Sequence, residues 1–127
     1  MVSQVYKELL EHGAKRHERL YPRADLGSQV LKLEEELQEL MEAETTDKMV
    51  NELADCLICC QGINRFAPRV ADLIVHEAFE DSHWKLTGLL AKAIDYIEKK
   101  WKINESREWI FDEVTKKYKH KGKDGHE

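Results

Sequence analysis

The chain has 127 residues, 20 of them Lys or Arg and 25 Asp or Glu, giving a formal net charge of −5. That length suits one domain with a real core. The acidic balance argues against a general polyanion binder, so no nucleic-acid partner is expected. No opening apolar run resembles a signal peptide, and no stretch approaches the ~20 apolar residues of a membrane span, so a cytoplasmic location without membrane contact is expected.

A first helix is predicted over about 2–18, where Val2, Val5, Tyr6, Leu9 and Leu10 recur at helical spacing. Tyr21 to Ser28 reads as a loop around Pro22, with Ser28 as the expected cap of the next helix. That second helix, about 28–43, carries Val30, Leu33, Leu37, Leu40 and Met41 as an apolar stripe. Lys32, Glu36 and Glu39 fall within ~60° of one another, on a face away from the stripe.

The third helix, Met49 to Asn64, has only Glu52 and Asp55 as charges and is apolar or small on nearly every side, which predicts an interior helix. Its cysteines, Cys56, Cys59 and Cys60, form one Cys-x-x-Cys with no second pair. They are expected to pack as small apolar side chains in a reducing compartment. Beyond Pro68 a helix is predicted over about 69–80, then another from near Trp84 to about Ser106. The latter would face Leu86, Leu89, Leu90, Ala93, Ile94 and Ile97 to the core, with Gly88 weakening its start. Trp109-Ile110-Phe111 can form a short strand with the Tyr118 region. Residues 116–127 read as a polar, flexible tail after a single domain over 1–115. The fold class is therefore all-α, a bundle of about four to five helices built round an antiparallel helix hairpin.

Four carboxylates flank the polar turn at 44–47. Glu36 and Glu39 precede it, Glu52 and Asp55 follow it, and each pair is spaced i, i+3 on one helix face. An antiparallel hairpin brings Glu39 level with Glu52, and Glu36 level with Asp55. Glutamates on so acidic a helix can be mere solvated surface. Acids on an apolar helix are different, because burying an unpartnered carboxylate costs several kcal/mol or a large pKa shift. Protonation, a Lys or Arg, or a divalent cation shared with the facing glutamates would relieve it, and only the cation serves all four together. Hard oxygen ligands suit Mg2+, with Mn2+ as the alternative, rather than zinc; Cys56 and Cys59 are close to Asp55 in sequence, but soft thiols are odd partners for Mg2+.

Glu35-Glu36-Leu37-Gln38-Glu39 followed by Glu52-Leu53-Ala54-Asp55 resembles the Glu-Glu-x-x-Glu and Glu-x-x-Asp signature of MazG-like all-α nucleoside triphosphate pyrophosphohydrolases. Lys100, Asn104 and Arg107 resemble the Lys-x-x-x-Asn-x-x-Arg element of several members. At i, i+4 and i+7 these three share one helical face and offer donors to phosphate oxygens, a reading favoured over that of an exposed basic helix end complementing the helix dipole. The likeness covers about 28–66 well and 96–109 loosely. It implies Mg2+-dependent hydrolysis of nucleoside triphosphates between the α- and β-phosphates, releasing a monophosphate and pyrophosphate, in nucleotide-pool house-cleaning. Glu36, Glu39, Glu52 and Asp55 would bind metal, Glu35 would orient and deprotonate the attacking water, and Lys32, Lys100, Asn104 and Arg107 would hold the triphosphate. A homodimer or homotetramer is the usual assembly of such chains, and the apolar third helix, too exposed for one small protomer to cover, agrees. Trp84, Trp101, Trp109 and Tyr96 are candidates to stack on a base, though aromatics at helical spacing are more often core.

Two alternatives stand beside this: a related nucleotide diphosphatase or phosphoribosyl-ATP-type hydrolase, and a non-enzymatic helical interaction module with a structural cation site. A di-iron bundle needs two Glu-x-x-His motifs, and the chain has one, Glu80-Asp81-Ser82-His83. His12, His17 and His76 lack partners at ligand spacing and are expected at the surface or in packing.

Overall fold

The computed structural model of the protein describes residues 3–81, 84 and 87–121. Helices α1 (Gln4–Leu20), α2 (Leu26–Glu42), α3 (Thr46–Asn64), α4 (Pro68–Ile74) and α5 (Leu89–Glu105) form an all-α bundle, and a π-helical segment, Val75–Glu80, continues α4. The chain ends in a small hairpin of β1 (Trp109–Asp112) and β2 (Lys117–His120). Among the described residues, no helix is long and apolar enough to cross a membrane.

The centre of the bundle is α3. Leu53, Ala54, Cys56, Leu57, Cys60 and Ile63 are all fully buried there, because α1, α2 and α5 cover a helix that is apolar around its whole circumference. One protomer therefore buries α3 by itself, and the apolar character of this helix is no argument for a partner subunit. The cysteines are free, buried thiols, as their apolar setting predicts.

Local chemistry sets the helix ends, and here several boundaries differ from those predicted. Helix α2 begins at Leu26 because Asp25 is its cap: Ser28 N donates to Asp25 Oδ1 (2.7 Å), and Asp25 N donates to Ser28 Oγ (3.2 Å). Ser28 is thus the reciprocal partner three residues into a capping box, not the cap. The turn to α3 is only Ala43–Thr45, and Thr45 Oγ1 caps α3 by accepting from Lys48 N at 3.2 Å. Gly88, at φ +79°, adopts the left-handed conformation that glycine tolerates best, and α5 starts immediately after it. The predicted helix from Trp84 is therefore interrupted, and Leu86 lies outside the described residues. Leu90, Ala93, Ile97 and Trp101 form the buried stripe of α5.

The predicted strand at Trp109 is present, with Phe111 opposite Tyr118 in an antiparallel register. The hairpin docks through aromatic edges: Tyr21 lies 4.9 Å from Trp109 and 5.2 Å from Tyr118, centroid to centroid. Tyr118 and His120 are buried, so the segment from Lys117 to His120 belongs to the fold rather than to a tail starting at 116. Residues 122–127 lie outside the described residues. Val5 and Met41, placed in apolar stripes by spacing alone, are 64% and 76% exposed. The residues that α2 does bury are Gln29, Leu33, Glu36 and Leu40.

Polar contacts lock the helices in register. Gln61 on α3 donates from Nε2 to Leu9 O (3.0 Å) and accepts from Trp101 Nε1 (2.8 Å), tying α1 and α5 to the core helix. Gly13 makes room for it: a Cβ there would sit 1.9 Å from Gln61 Cδ. Gly13→Ala is therefore expected to destabilise by roughly 1–3 kcal/mol through overpacking, and by about 1 kcal/mol more for each hydrogen bond of Gln61 it breaks. Urea unfolding of the variant checks this, with Glu11→Ala, on the exposed face of α1, as the matched control. His17, 1% exposed, accepts from Arg65 Nη1 at Nδ1 (3.0 Å) and donates from Nε2 to Gln29 Oε1 (2.9 Å). Burial, and then the Arg65 charge, lower its pKa to about 3, so it is neutral at pH 7 and a packing residue, as predicted.

Candidate functional site

The α2–α3 hairpin converges three of the four carboxylates singled out by spacing. Ligand oxygens of Glu36, Glu39 and Glu52 lie within 4.8 Å of one another. This is a consequence of antiparallel packing across a three-residue turn, which sets an i, i+3 pair on α2 against α3. The face of α2 that carries them is not the solvent face the stripe suggested: Glu36 is only 4% exposed. Helix α2 presents Leu33 and Leu40 to α3, and Glu36 lies between them on the same side.

Burial makes the cluster costly. Glu36 Oε2 and Glu52 Oε2 are both enclosed and accept no hydrogen bond. Desolvation, followed by the nearby Asp55 charge, raises the Glu36 pKa well above the ordinary carboxylate range. Desolvation also raises that of Glu52. The nearest cation, Lys32 Nζ, is 3.6 Å from Glu36 Oε1 and offsets the repulsion only in part. Asn51 Nδ2 donates to Glu52 Oε1 at 3.3 Å.

Such a donor set fits a hard divalent cation. It offers three convergent carboxylates, two of them with an enclosed oxygen lacking a donor, and no soft ligand competes. The Cys56 thiol nearby is held protonated, since desolvation and then the surrounding negative groups push its pKa up.

Asp55, the fourth predicted ligand, is outside that three-residue group. Its Oδ1 accepts from Lys100 Nζ at 2.7 Å, an ion pair mostly shielded from solvent, with side-chain exposures of 21% and 16%. Burial still raises the Asp55 pKa, with Lys100 opposing the shift. The pair also joins the acidic cluster to its neighbour. Lys100, Asn104 and Arg107 line a pocket of about 220 Å³ together with Asp55, Asn51 and Tyr96. The predicted shared face of α5 is thus turned toward α3 beside the carboxylates. Because Asn51 and Tyr96 share a wall of this pocket and Asp55 pairs with Lys100, α3 and α5 run in the same direction there.

Glu35 does not join the cluster. It is exposed, its Oε1 accepts from Lys117 Nζ at 3.2 Å, and it lines a separate small pocket with Lys32 and Tyr118. One residue of rotation on α2 carries it toward the hairpin. Trp101 and Trp109 are removed as stacking candidates: Trp101 is 1% exposed, and Trp109 donates from Nε1 to Asn104 O at 2.8 Å while packing on Tyr21. Asn51 is the site residue that spacing alone missed. Its signal was its place one turn before Asp55 on α3, which only becomes informative once α5 is known to lie alongside. His76 pairs with Glu80 at 3.3 Å, and His83 of the Glu-x-x-His motif lies outside the described residues. Comparison with family models, with curated proteins and with solved structures gives no match to this chain.

Proposed function

We propose that the protein is a Mg2+-dependent nucleoside triphosphate pyrophosphohydrolase of the MazG-like all-α type. The observation that carries this reading is the adjacency of two unlike groups. The carboxylates Glu36, Glu39 and Glu52 meet on a buried hairpin, and the Lys100, Asn104 and Arg107 pocket opens beside them through the Asp55–Lys100 pair. A structural cation site needs only the first group, whereas a polyphosphate substrate requires both, one for the cation and one for its own negative charge.

Glu36, Glu39 and Glu52 would hold Mg2+, which when bound supplies charge neutralisation at phosphate oxygens and acidifies coordinated water. Lys100 exchanges Asp55 for a phosphate oxygen, which frees the Asp55 carboxylate to complete the acidic set. Arg107 offers a planar fork of donors to the same polyphosphate, and Asn104, 9% exposed, adds an amide donor at the floor. Lys32, beside Glu36, is a third cationic side chain for the anionic substrate. The attacking water gives up its proton to a carboxylate that does not itself hold the cation. Glu35, the base that the family likeness implies, lies outside the three converging carboxylates and pairs with Lys117 at the surface. Assembly as a dimer or tetramer is part of the same reading and rests on the family likeness alone.

Product analysis separates the readings. With Mg2+, a nucleoside triphosphate should yield monophosphate and pyrophosphate, and EDTA should stop the reaction. Release of orthophosphate would instead point to a different hydrolase. Absence of any Mg2+-dependent binding of a non-hydrolysable triphosphate analogue, measured by calorimetry, would favour the helical interaction module.

A further inference from the structure

Next to the polyphosphate pocket lies a larger groove of about 440 Å³, lined among others by Val50, Asn51, Lys92, Asp95 and Tyr96. The two cavities share Asn51 and Tyr96, so they are neighbouring compartments of one surface between α3 and α5. The order along α5 is fixed by helical spacing: Lys92, Tyr96, Lys100 and Asn104 follow one another at i, i+4 steps, which keeps them on one face. A ligand whose phosphates reach Lys100 and Arg107 thus has its other end directed along this face toward Lys92.

The groove has the composition of a site for a flat, edge-polar ring. Its volume falls in the range of small-molecule pockets. Tyr96 is partly buried against the core and lines both cavities, so its ring is held in place while staying accessible. Val50 is half-buried on α3 and supplies an aliphatic surface. Asn51 can donate and accept, Asp95 only accepts, and Lys92 only donates. The Lys99 and Lys100 ammonium groups lie 5.8 and 5.6 Å from the Tyr96 centroid, within cation–π range.

We infer that Tyr96 is the stacking platform for the nucleobase, and that this groove, with Asp95 and Asn51 at its edge, selects the base. The inference rests on the proposed nucleotide substrate and adds where its non-phosphate end lies. Asp95 is an acceptor only, so it favours the two-proton exocyclic amino groups of adenine, cytosine and guanine over uracil and thymine, whose edge offers it the single N3–H. Stacking is insensitive to base identity, whereas the edge contacts are not.

The test uses two probes on the full chain with Mg2+: a non-hydrolysable nucleoside triphosphate analogue and inorganic tripolyphosphate, which has charge but no base. Tyr96→Ala should weaken the nucleotide roughly ten- to a hundredfold and weaken tripolyphosphate by a much smaller factor, since the ring also borders the phosphate pocket, while Tyr96→Phe, which keeps the ring, should bind both as wild type does. Equal losses for both probes would mean that Tyr96 merely steadies Lys100, and unchanged nucleotide binding would place the base elsewhere; either overturns the inference while sparing the hydrolase reading. A wild-type protein that binds neither probe removes both. Should Tyr96→Ala fold poorly, Asp95→Asn at an exposed position gives a second readout. It should narrow the preference for amino-bearing bases over uracil in competition binding, and an unaltered ranking counts against the groove.

Discussion

Glu39→Gln and Asp55→Asn are each expected to reduce hydrolysis by at least the 10²–10³-fold typical of losing one transition-state electrostatic contact, with the helical circular-dichroism spectrum intact. Both exchanges preserve shape and remove only a negative charge, so activity and folding should separate. Glu39 is one of the three converging carboxylates, and Asp55 links them to Lys100. Glu36→Gln gives the sharpest contrast. In the metal-free protein Glu36 Oε2 faces Glu52 at a cost, and its neighbours raise its proton affinity further. A glutamine amide can donate to Glu52 and carries no charge, so the metal-free variant should melt a few degrees above metal-free wild type. Wild type, however, should be stabilised by added Mg2+ through preferential binding to the folded state, and Glu36→Gln should lose most of that response. Two thermal melts per protein, with EDTA and with Mg2+, distinguish these results from simple destabilisation. If Glu39→Gln and Asp55→Asn both retain full activity, the assignment of the site is wrong.

The parts of this site that could be read from sequence are those governed by periodicity and charge cost. An interior helix bearing Glu52 and Asp55 as its only charges predicted both the burial of α3 and the need for partners to its acids. The short turn predicted the antiparallel return that brings Glu36 and Glu39 into range. Spacing also set Lys100, Asn104 and Arg107 on one face, and that face does line a pocket. Periodicity could not rank two possible buried faces on α2: Met41 satisfies the apolar pattern yet is 76% exposed, whereas Glu36 violates it yet is 4% exposed. Helix α3 is covered by α1, α2 and α5 together, so the face that α2 turns inward is set by how all three pack on it and not by its own apolar spacing. Long-range pairs were equally invisible. Neither Lys117 on Glu35 nor Lys100 on Asp55 follows from any local rule, because each depends on how distant elements cross. Capping was only partly legible, since Asp25 and Ser28 each satisfy the cap preference and the geometry of the loop decides between them.

The stability of the metal-free protein should fall at both ends of the pH scale, for opposite reasons, and Mg2+ should repair only the alkaline side. Glu36 has its folded pKa raised above the ordinary value of 4.5, so the folded state holds a proton that the unfolded chain releases. Its contribution is therefore present below about pH 4.5 and is lost as pH climbs toward the raised value. Glu52 and Asp55 are shifted in the same direction and deepen the loss. His17 acts with the other sign. Its folded pKa is lowered from 6.5 to about 3, so its stabilisation is present above 6.5 and is lost as pH falls through that window. Cation binding competes with protons for the same carboxylates, so Mg2+ affinity should increase with pH and each binding event should release protons. Calorimetry in two buffers of different ionisation enthalpy measures that release directly. Urea midpoints between pH 4 and 9, with and without Mg2+, should converge at acid pH and diverge at alkaline pH. Glu36→Gln should flatten the alkaline decline without Mg2+ and leave where it was the acid limb, to which His17 and the Arg16-paired Glu98 and Glu105 contribute. Curves that stay parallel across the range, with no proton release on adding Mg2+, would show that the three carboxylates do not act together on a cation.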